Sequence, residues 1–324
     1  MANPGIAILV LAHQHAPLQY LLDLLDDRFS VFIHLDAKTP AAPLRLPAHA
    51  TLIEPSIEVF WGGWSMMQAT FLLIDAARAR GVFHRYALIS GDSLPVLPLD
   101  RLEAALLDDS SEYIELIPVP DDPTLAGADM QEATARHGWV QPWRLHNPVA
   151  WDHLLLNPFQ REAAAAHYGI EQSRIDWIRG DIEKLLRPIL ADLQPPRPFE
   201  KICYGAQWWA LTAATLEKIR PDLLRPEVQR FFRTLQVPDE HMIQTVLGNR
   251  PDALAGRVIA GTPIWADHAS RARGIDTLDR AGFRAAAAAG SQILFARKFH
   301  PTTAPDVAAA IRDGVFETSV LGGA

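Results

Sequence analysis

The chain has 324 residues, 49% of them hydrophobic, enough to bury a large core in one domain or two modest ones. Its net charge of −8 speaks against a nucleic-acid binder, which would carry a basic stripe, so any anionic ligand must be met by cations gathered locally. The one cysteine, Cys203, rules out an intramolecular disulfide and reads as a small buried strand residue.

Gly5–Ala12 is a continuous apolar run, too short to span a bilayer and without the basic start of a signal peptide; it predicts a strand buried on both faces. Leu18, Leu21, Leu22 and Leu25 then share one helical face. Val31–Leu35 predicts a second strand, ending at Asp36. Ser65 is placed to cap a helix running to about Arg80, with Met66, Ala69, Leu72, Leu73 and Ala76 facing inward. Tyr86–Ser90 is a third strand, Leu99–Leu107 a short helix and Glu112–Ile117 another strand. This alternation predicts an α/β fold, a mostly parallel, doubly wound open sheet flanked by helices. Ligands bind such sheets beyond the carboxyl ends of the strands, where Asp36, Ser90, Gly91 and Asp92 fall.

Residues 118–160, with Trp139, Trp143 and Trp151 among many Pro and Asp, read as an irregular insertion, and 171–193 as helical with a kink at Pro188. Beyond Ile202 the expected order is a strand at Gln207–Leu211, a helix at Ala213–Ile219 and a helix at Pro238–Leu247. A short strand at Val258–Ile259, a helix at Asp279–Ala289, an extended Gln292–Phe295 and a closing helix at Ala304–Arg312 follow. No repeat or separating linker is visible. Residues 1–324 are therefore expected to form one domain, with a ligand-binding half (1–120), an insertion (121–200) and a second half (201–324).

Three segments could carry chemistry. In Val237–Asn249 a proline is followed by Asp239 and Glu240 in the first turn of the expected helix. The bland reading is a capping Asp239 and a Glu240 that complements the dipole; the functional one is a general base taking a proton from a sugar hydroxyl. In Leu294–His300, Arg297 and Lys298 stand among apolar residues, either as a solvated pair or as a clamp for a departing diphosphate. In Phe60–Ser65, Gly62 and Gly63 between Trp61 and Trp64 would let the backbone approach a ligand flanked by flat rings, or form a packed turn. Trp208 and Trp209 alternate across a strand, so one should face the core. No Asp-x-Asp occurs, and Asp181-Ile182-Glu183 sits within an expected helix, so no metal is expected and cationic side chains must do its work. His13 and His15 lack an accompanying carboxylate or Cys pattern.

Together, Ile6–His15 with His34–Lys38, Trp61–Thr70, Tyr86–Pro95, Tyr204–Thr212, Val237–Asn249 and Leu294–Phe299 resemble, in collinear order, the core-2/I-branching β-1,6-N-acetylglucosaminyltransferase family, which includes peptide O-xylosyltransferases. The resemblance implies a GT-A-like fold, an inverting transfer from a UDP-sugar (N-acetylglucosamine ahead of xylose) to a carbohydrate acceptor, and no metal or other cofactor. It implies Glu240 as the base, Lys298 at the diphosphate with Arg297 beside it, and an upstream arginine, Arg271 or Arg273. It implies that Asp36 lies near the donor nucleoside, that Trp61, Gly62, Gly63, Ser90, Gly91 and Asp92 line the donor and catalytic cleft, and that Trp64, Gln207, Trp208 and Asp239 lie towards the acceptor. Animal members carry a membrane anchor, a stem and many cysteines. This chain resembles a compact bacterial-type relative, expected in the cytoplasm or peripherally at the inner membrane. A glycoside hydrolase, with Asp92 as second carboxylate, and a non-catalytic carbohydrate-binding protein remain the rival classes.

Overall fold

The computed structural model describes residues 5–119, 196–266 except 234 and 236, and 277–307 except 303 and 306. The expected insertion, its tryptophans, most of the closing helix and both candidate upstream arginines, Arg271 and Arg273, lie outside the described residues.

The chain folds as a mixed α/β protein around a mostly parallel sheet. Strand β1 (Ile6–Ala12) is buried at every position, as a continuous apolar run covered on both faces must be. Helix α1 (His15–Leu24) buries Leu18, Leu21 and Leu22 and leads to β2 (Phe29–Leu35). After β3 (Ala50–Leu52) and helix α2 (Trp64–Arg80), the chain returns to the other side of β1 as β4 (Arg85–Ser90). The five-stranded sheet has the order β3-β2-β1-β4-β9, with β9 (Trp209–Thr212) antiparallel to β4 and the other pairs parallel. The winding reverses between β1 and β4, and the crevice of such a sheet opens at that switch point.

The other strands are short. A three-stranded sheet joins β11 (Ile264–Ala266), β12 (Phe295–Arg297) and β5 (Leu94–Pro95). Two pairs are formed by β6 (Ser111–Glu112) with β10 (Val258–Ile259) and by β7 (Ile117–Val119) with β8 (Ile202–Tyr204). The described helices are completed by α3 (Leu99–Leu107), α4 (Ala213–Leu223), α5 (Pro226–Phe232), α6 (Met242–Gly248), α7 (Pro251–Leu254) and α8 (Arg280–Ala288).

Four expectations are corrected. Gly63, not Ser65, caps α2, and the Ser65 hydroxyl instead accepts from Phe60 N–H. The buried face of that helix is correspondingly rotated: Met67, Thr70, Ile74 and Ala77 are buried, whereas Met66, Leu72 and Ala76 are only partly so. The strand expected at Glu112–Ile117 is broken, because Tyr113 bridges to Ala210 while its neighbours pair elsewhere. The helix expected at Pro238–Leu247 is also interrupted. A 3₁₀ turn at Pro238–Glu240 ends at His241, whose φ of −132° is not helical, before α6 begins.

Candidate active site

Three strand ends build the mouth of the crevice. Asp36 N–H bonds Ala12 C=O and Gly91 N–H bonds Leu11 C=O, both at 2.8 Å, so the turns after β2 and β4 hang directly on β1. A Cβ at Gly91 would stand 2.7 Å from that of Ala12, and this close approach requires glycine. Asp36 accepts from the Lys38 ammonium at 2.8 Å, and the Lys38 Nζ lies 4.4 Å from the centre of the Phe60 ring. His13, just past β1, keeps an exposed face; the protein packed around it holds its imidazole below the usual value, with Arg297 and Lys298 opposing the pull of Asp92 and Asp36.

The 297–299 segment closes this end. Antiparallel pairing of β12 with β5 brings it alongside the turn after β4, and Phe299 N–H bonds Asp92 C=O at 2.8 Å. Arg297 donates Nε to Asp92 Oδ1 at 3.1 Å and Nη2 to Oδ2 at 3.4 Å. Its guanidinium also lies 5.0 Å from the centre of the Trp208 ring. Burial pushes the Asp92 carboxyl up, but the Arg297 charge, the Arg297 hydrogen bonds and Ser90 outweigh it and leave Asp92 below its ordinary value. Lys298 is partly buried, its C=O accepts from Leu278 N–H at 2.7 Å, and its ammonium has neither a hydrogen-bond nor an ion-pair partner among the described residues. Burial first, and the Arg297 charge second, hold its ammonium below the usual lysine value.

The carboxylates gather on the other flank. Val237 has φ 52° and ψ 54°, a left-handed conformation unusual for a β-branched residue. The strain is held from outside: Val237 N–H bonds Gly62 C=O at 2.8 Å, while Val237 C=O accepts from Glu240 N–H at 3.0 Å and His241 Nδ1–H at 2.9 Å. Gly62 itself has φ +72°, and a Cβ there would lie 3.3 Å from Val237 Cγ1. The two motifs singled out in the sequence, Phe60–Ser65 and Val237–Asn249, therefore form one packed unit. Beside it, Glu240 Oε2 is buried with no hydrogen-bond partner among the described residues. Burial, then the charge of Asp239, then that of Glu115 hold the Glu240 carboxyl well above its ordinary value. His241, buried and accepting nothing at Nε2 among the described residues, is depressed to about 4 by burial.

Segment 205–208 links the flanks. Gly205 N–H bonds Glu240 C=O at 3.0 Å, Ala206 N–H bonds Glu115 Oε2 at 2.9 Å, and Trp208 lies against Arg297. Three residues of chain reach at most roughly 11 Å, so the raised carboxyl and the cationic segment flank one short stretch of backbone. A Cβ on Gly205 would fall 2.0 Å from Glu115 C=O, which accounts for the glycine. Gln244, buried, ties this stretch to α6 by donating to Ala206 C=O at 2.8 Å.

Of the expected site residues, Asp36, Ser90, Gly91, Asp92, Arg297 and Lys298 share the switch-point crevice. Asp239, next to Glu240, and Gln207, in the segment that bonds Glu240 C=O through Gly205, are both buried. Trp209 is the core partner of its pair and Trp208 the one facing Arg297. Trp64 is 7% exposed, packs against Phe71 and carries the Arg233 guanidinium 5.0 Å from its ring centre, so its ring serves α2 packing more than an open platform. Glu115 is the residue sequence reasoning missed: nothing in its local spacing announces it, and it reaches Glu240 only through the fold. Among the described residues no group of three or more His, Cys, Asp or Glu could hold a metal ion. No helix among them is long and apolar enough to cross a membrane. No family model matches the chain, and no curated protein does either.

Proposed function

We propose that the chain is an inverting, metal-independent glycosyltransferase of GT-A type, moving a sugar from a UDP-sugar to a hydroxyl of a glycan or similar acceptor. N-acetylglucosamine is the favoured sugar and xylose the alternative. The observation that carries this reading is Glu240: a buried carboxyl, crowded by Asp239 and Glu115, whose raised basicity suits proton abstraction near neutral pH. In this reading Glu240 Oε2 takes the proton of the acceptor hydroxyl as its oxygen attacks the anomeric carbon. The bond from that carbon to the diphosphate oxygen breaks on the opposite face, which inverts the configuration. The Lys298 ammonium meets the charge developing on the leaving diphosphate.

UDP should raise the melting temperature of the protein where other nucleotides do not, because binding only the folded state stabilises it. Glu240→Gln should lower kcat by about 10²–10⁴-fold, the contribution of a positioned base, and leave UDP affinity unchanged. Lys298→Ala should weaken UDP, and turnover should persist in excess EDTA. Near-normal turnover in Glu240→Gln, or no UDP binding at all, would remove the basis of the proposal; a hydrolase or a lectin has no use for the nucleotide.

A further inference from the structure

Charge around the switch-point crevice is matched in pairs, with one exception. Lys38 is bonded to both oxygens of Asp36. Arg297 is bonded to both oxygens of Asp92, and the Trp208 ring backs its guanidinium. Both members of that second pair are nearly enclosed, with side-chain exposures of 11% for Arg297 and 7% for Asp92. His13 is held towards its neutral form. Only the Lys298 ammonium, next to Arg297 in the chain, makes no ion pair of its own among the described residues, feeling Asp92 at longer range. Two adjacent cations on one strand end are thus treated in opposite ways.

We propose that Asp92 is a positioning residue that withholds Arg297 from the nucleoside diphosphate, so that product is held weakly enough to leave. This rests on the reading of Lys298 as the diphosphate contact. A carboxylate that takes two donors from one guanidinium offers the geometry and the charge the guanidinium would otherwise seek in a phosphate. A rigid aromatic face on the other side stops the fork from turning away. The Asp92 main chain is itself fixed, through Phe299 N–H and through the Gly91 contact with Ala12, so the carboxylate cannot follow a departing guanidinium. Arg297 thereby stiffens the segment that carries Lys298 and adds no net charge to it. Extra affinity for a diphosphate would bind substrate and product alike and would slow release without speeding the chemical step.

The test is UDP titration by calorimetry on the full chain, wild type against Asp92→Asn, Arg297→Met and the double variant, at low and high salt. Asparagine keeps the shape and removes the charge. Asp92→Asn is expected to tighten UDP about tenfold at low salt, the value of one added charge-assisted hydrogen bond. The gain should shrink in 0.5 M NaCl, where the Debye length is only a few ångström, ~4 Å. Arg297→Met alone leaves the Asp92 carboxylate uncompensated beside the nucleotide and should weaken UDP, whereas the double variant, which removes both charges, should lie within about twofold of wild type. UDP inhibition of turnover should strengthen in parallel in Asp92→Asn. A merely structural role predicts the reverse, weaker UDP in Asp92→Asn, and that result overturns the proposal. So does a large loss of affinity in the double variant, and an Arg297→Met that binds UDP as tightly as wild type decides against the proposal even where the Asp92 variants do not fold. If wild type fails to bind UDP, or Lys298→Ala binds it as well as wild type, the glycosyltransferase reading fails first. If both of those hold and Asp92→Asn shows no gain, only the present inference fails.

Discussion

A carboxyl kept protonated by burial makes the folded chain less stable as pH rises past its unfolded value. Glu240 is such a group: its folded value lies well above the ordinary 4.5, so between the two the folded state holds a proton that the unfolded state has released. Stability contributed by that proton is complete below about 4.5 and declines as pH climbs towards the folded value. Glu240→Gln removes the titration, so it should raise the melting temperature at pH 8 by roughly 2 °C or more and leave it little changed at pH 4. A melt at pH 8 no higher than wild type would mean the carboxyl is not strained there. In the proposed reading activity moves the other way: a Glu240 base works only when ionised, so kcat/KM should rise with pH through the raised value. At this scale the sequence was informative about Glu240 and Lys298, which sit in short motifs. It was silent about Glu115, which adds to the effect of burial and of the adjacent Asp239 on Glu240 from more than a hundred positions away.

Helix and strand boundaries show where local pattern loses to tertiary contact. Pro238-Asp239-Glu240 reads as the opening of a helix, yet the turn stops at His241 because Val237 is pinned in a left-handed conformation by Gly62. Gly62→Ala tests that clamp. The new methyl group would meet Val237 Cγ1 at 3.3 Å and force a non-glycine residue to φ +72°. It should cost about 1–2 kcal/mol of stability and lower kcat by disturbing Glu240. Gly81→Ala is the control: an extended φ and nothing within 4 Å predict little change in either quantity. Equal effects of the two substitutions on kcat would detach the Gly62–Val237 clamp from the proposed role of Glu240. The long parallel strands were legible because continuous apolar runs have few other uses. Of the two- and three-residue strands, β10 was foreseen at Val258–Ile259, but β5 and β11 were not, since each exists only where a distant partner supplies its hydrogen bonds. Antiparallel β9 was legible as a strand but not in its direction, which its own residues do not encode.

Across the whole molecule the two halves of the chain are joined by a polar centre that no motif announced. Arg85, at the start of β4, is fully buried and donates to the carbonyls of Leu106, Asp108, Ser111 and Ala210. It lies 3.6 Å from Glu112, also fully buried, which in turn accepts from Thr212 N–H and from the hydroxyls of Thr212 and Thr215. This centre ties the strand that ends in Ser90 to the strand that begins with Trp209, and so sets the width of the crevice from its closed end. Arg85→Met would leave Glu112 buried with only Arg257, also 3.6 Å away, as counter-charge and would orphan four carbonyls, so it should cost about 3 kcal/mol. Arg45→Met is the matched comparison. Its guanidinium is 2.9 Å from Asp23, closer than Arg85 is to Glu112, but with side-chain exposures of 78% and 52%. That pair should be worth no more than about 1 kcal/mol, because solvent screens it and both side chains give up rotamer freedom to form it. Denaturant unfolding of the two variants should therefore separate them widely, in the order opposite to their distances. Comparable losses in both would show that the halves are joined by the β4–β9 ladder and apolar packing without help from the buried charges. A large loss confined to Arg85→Met would assign part of the shared frame of Asp92 and Trp209 to the buried charges, which reinforce that ladder.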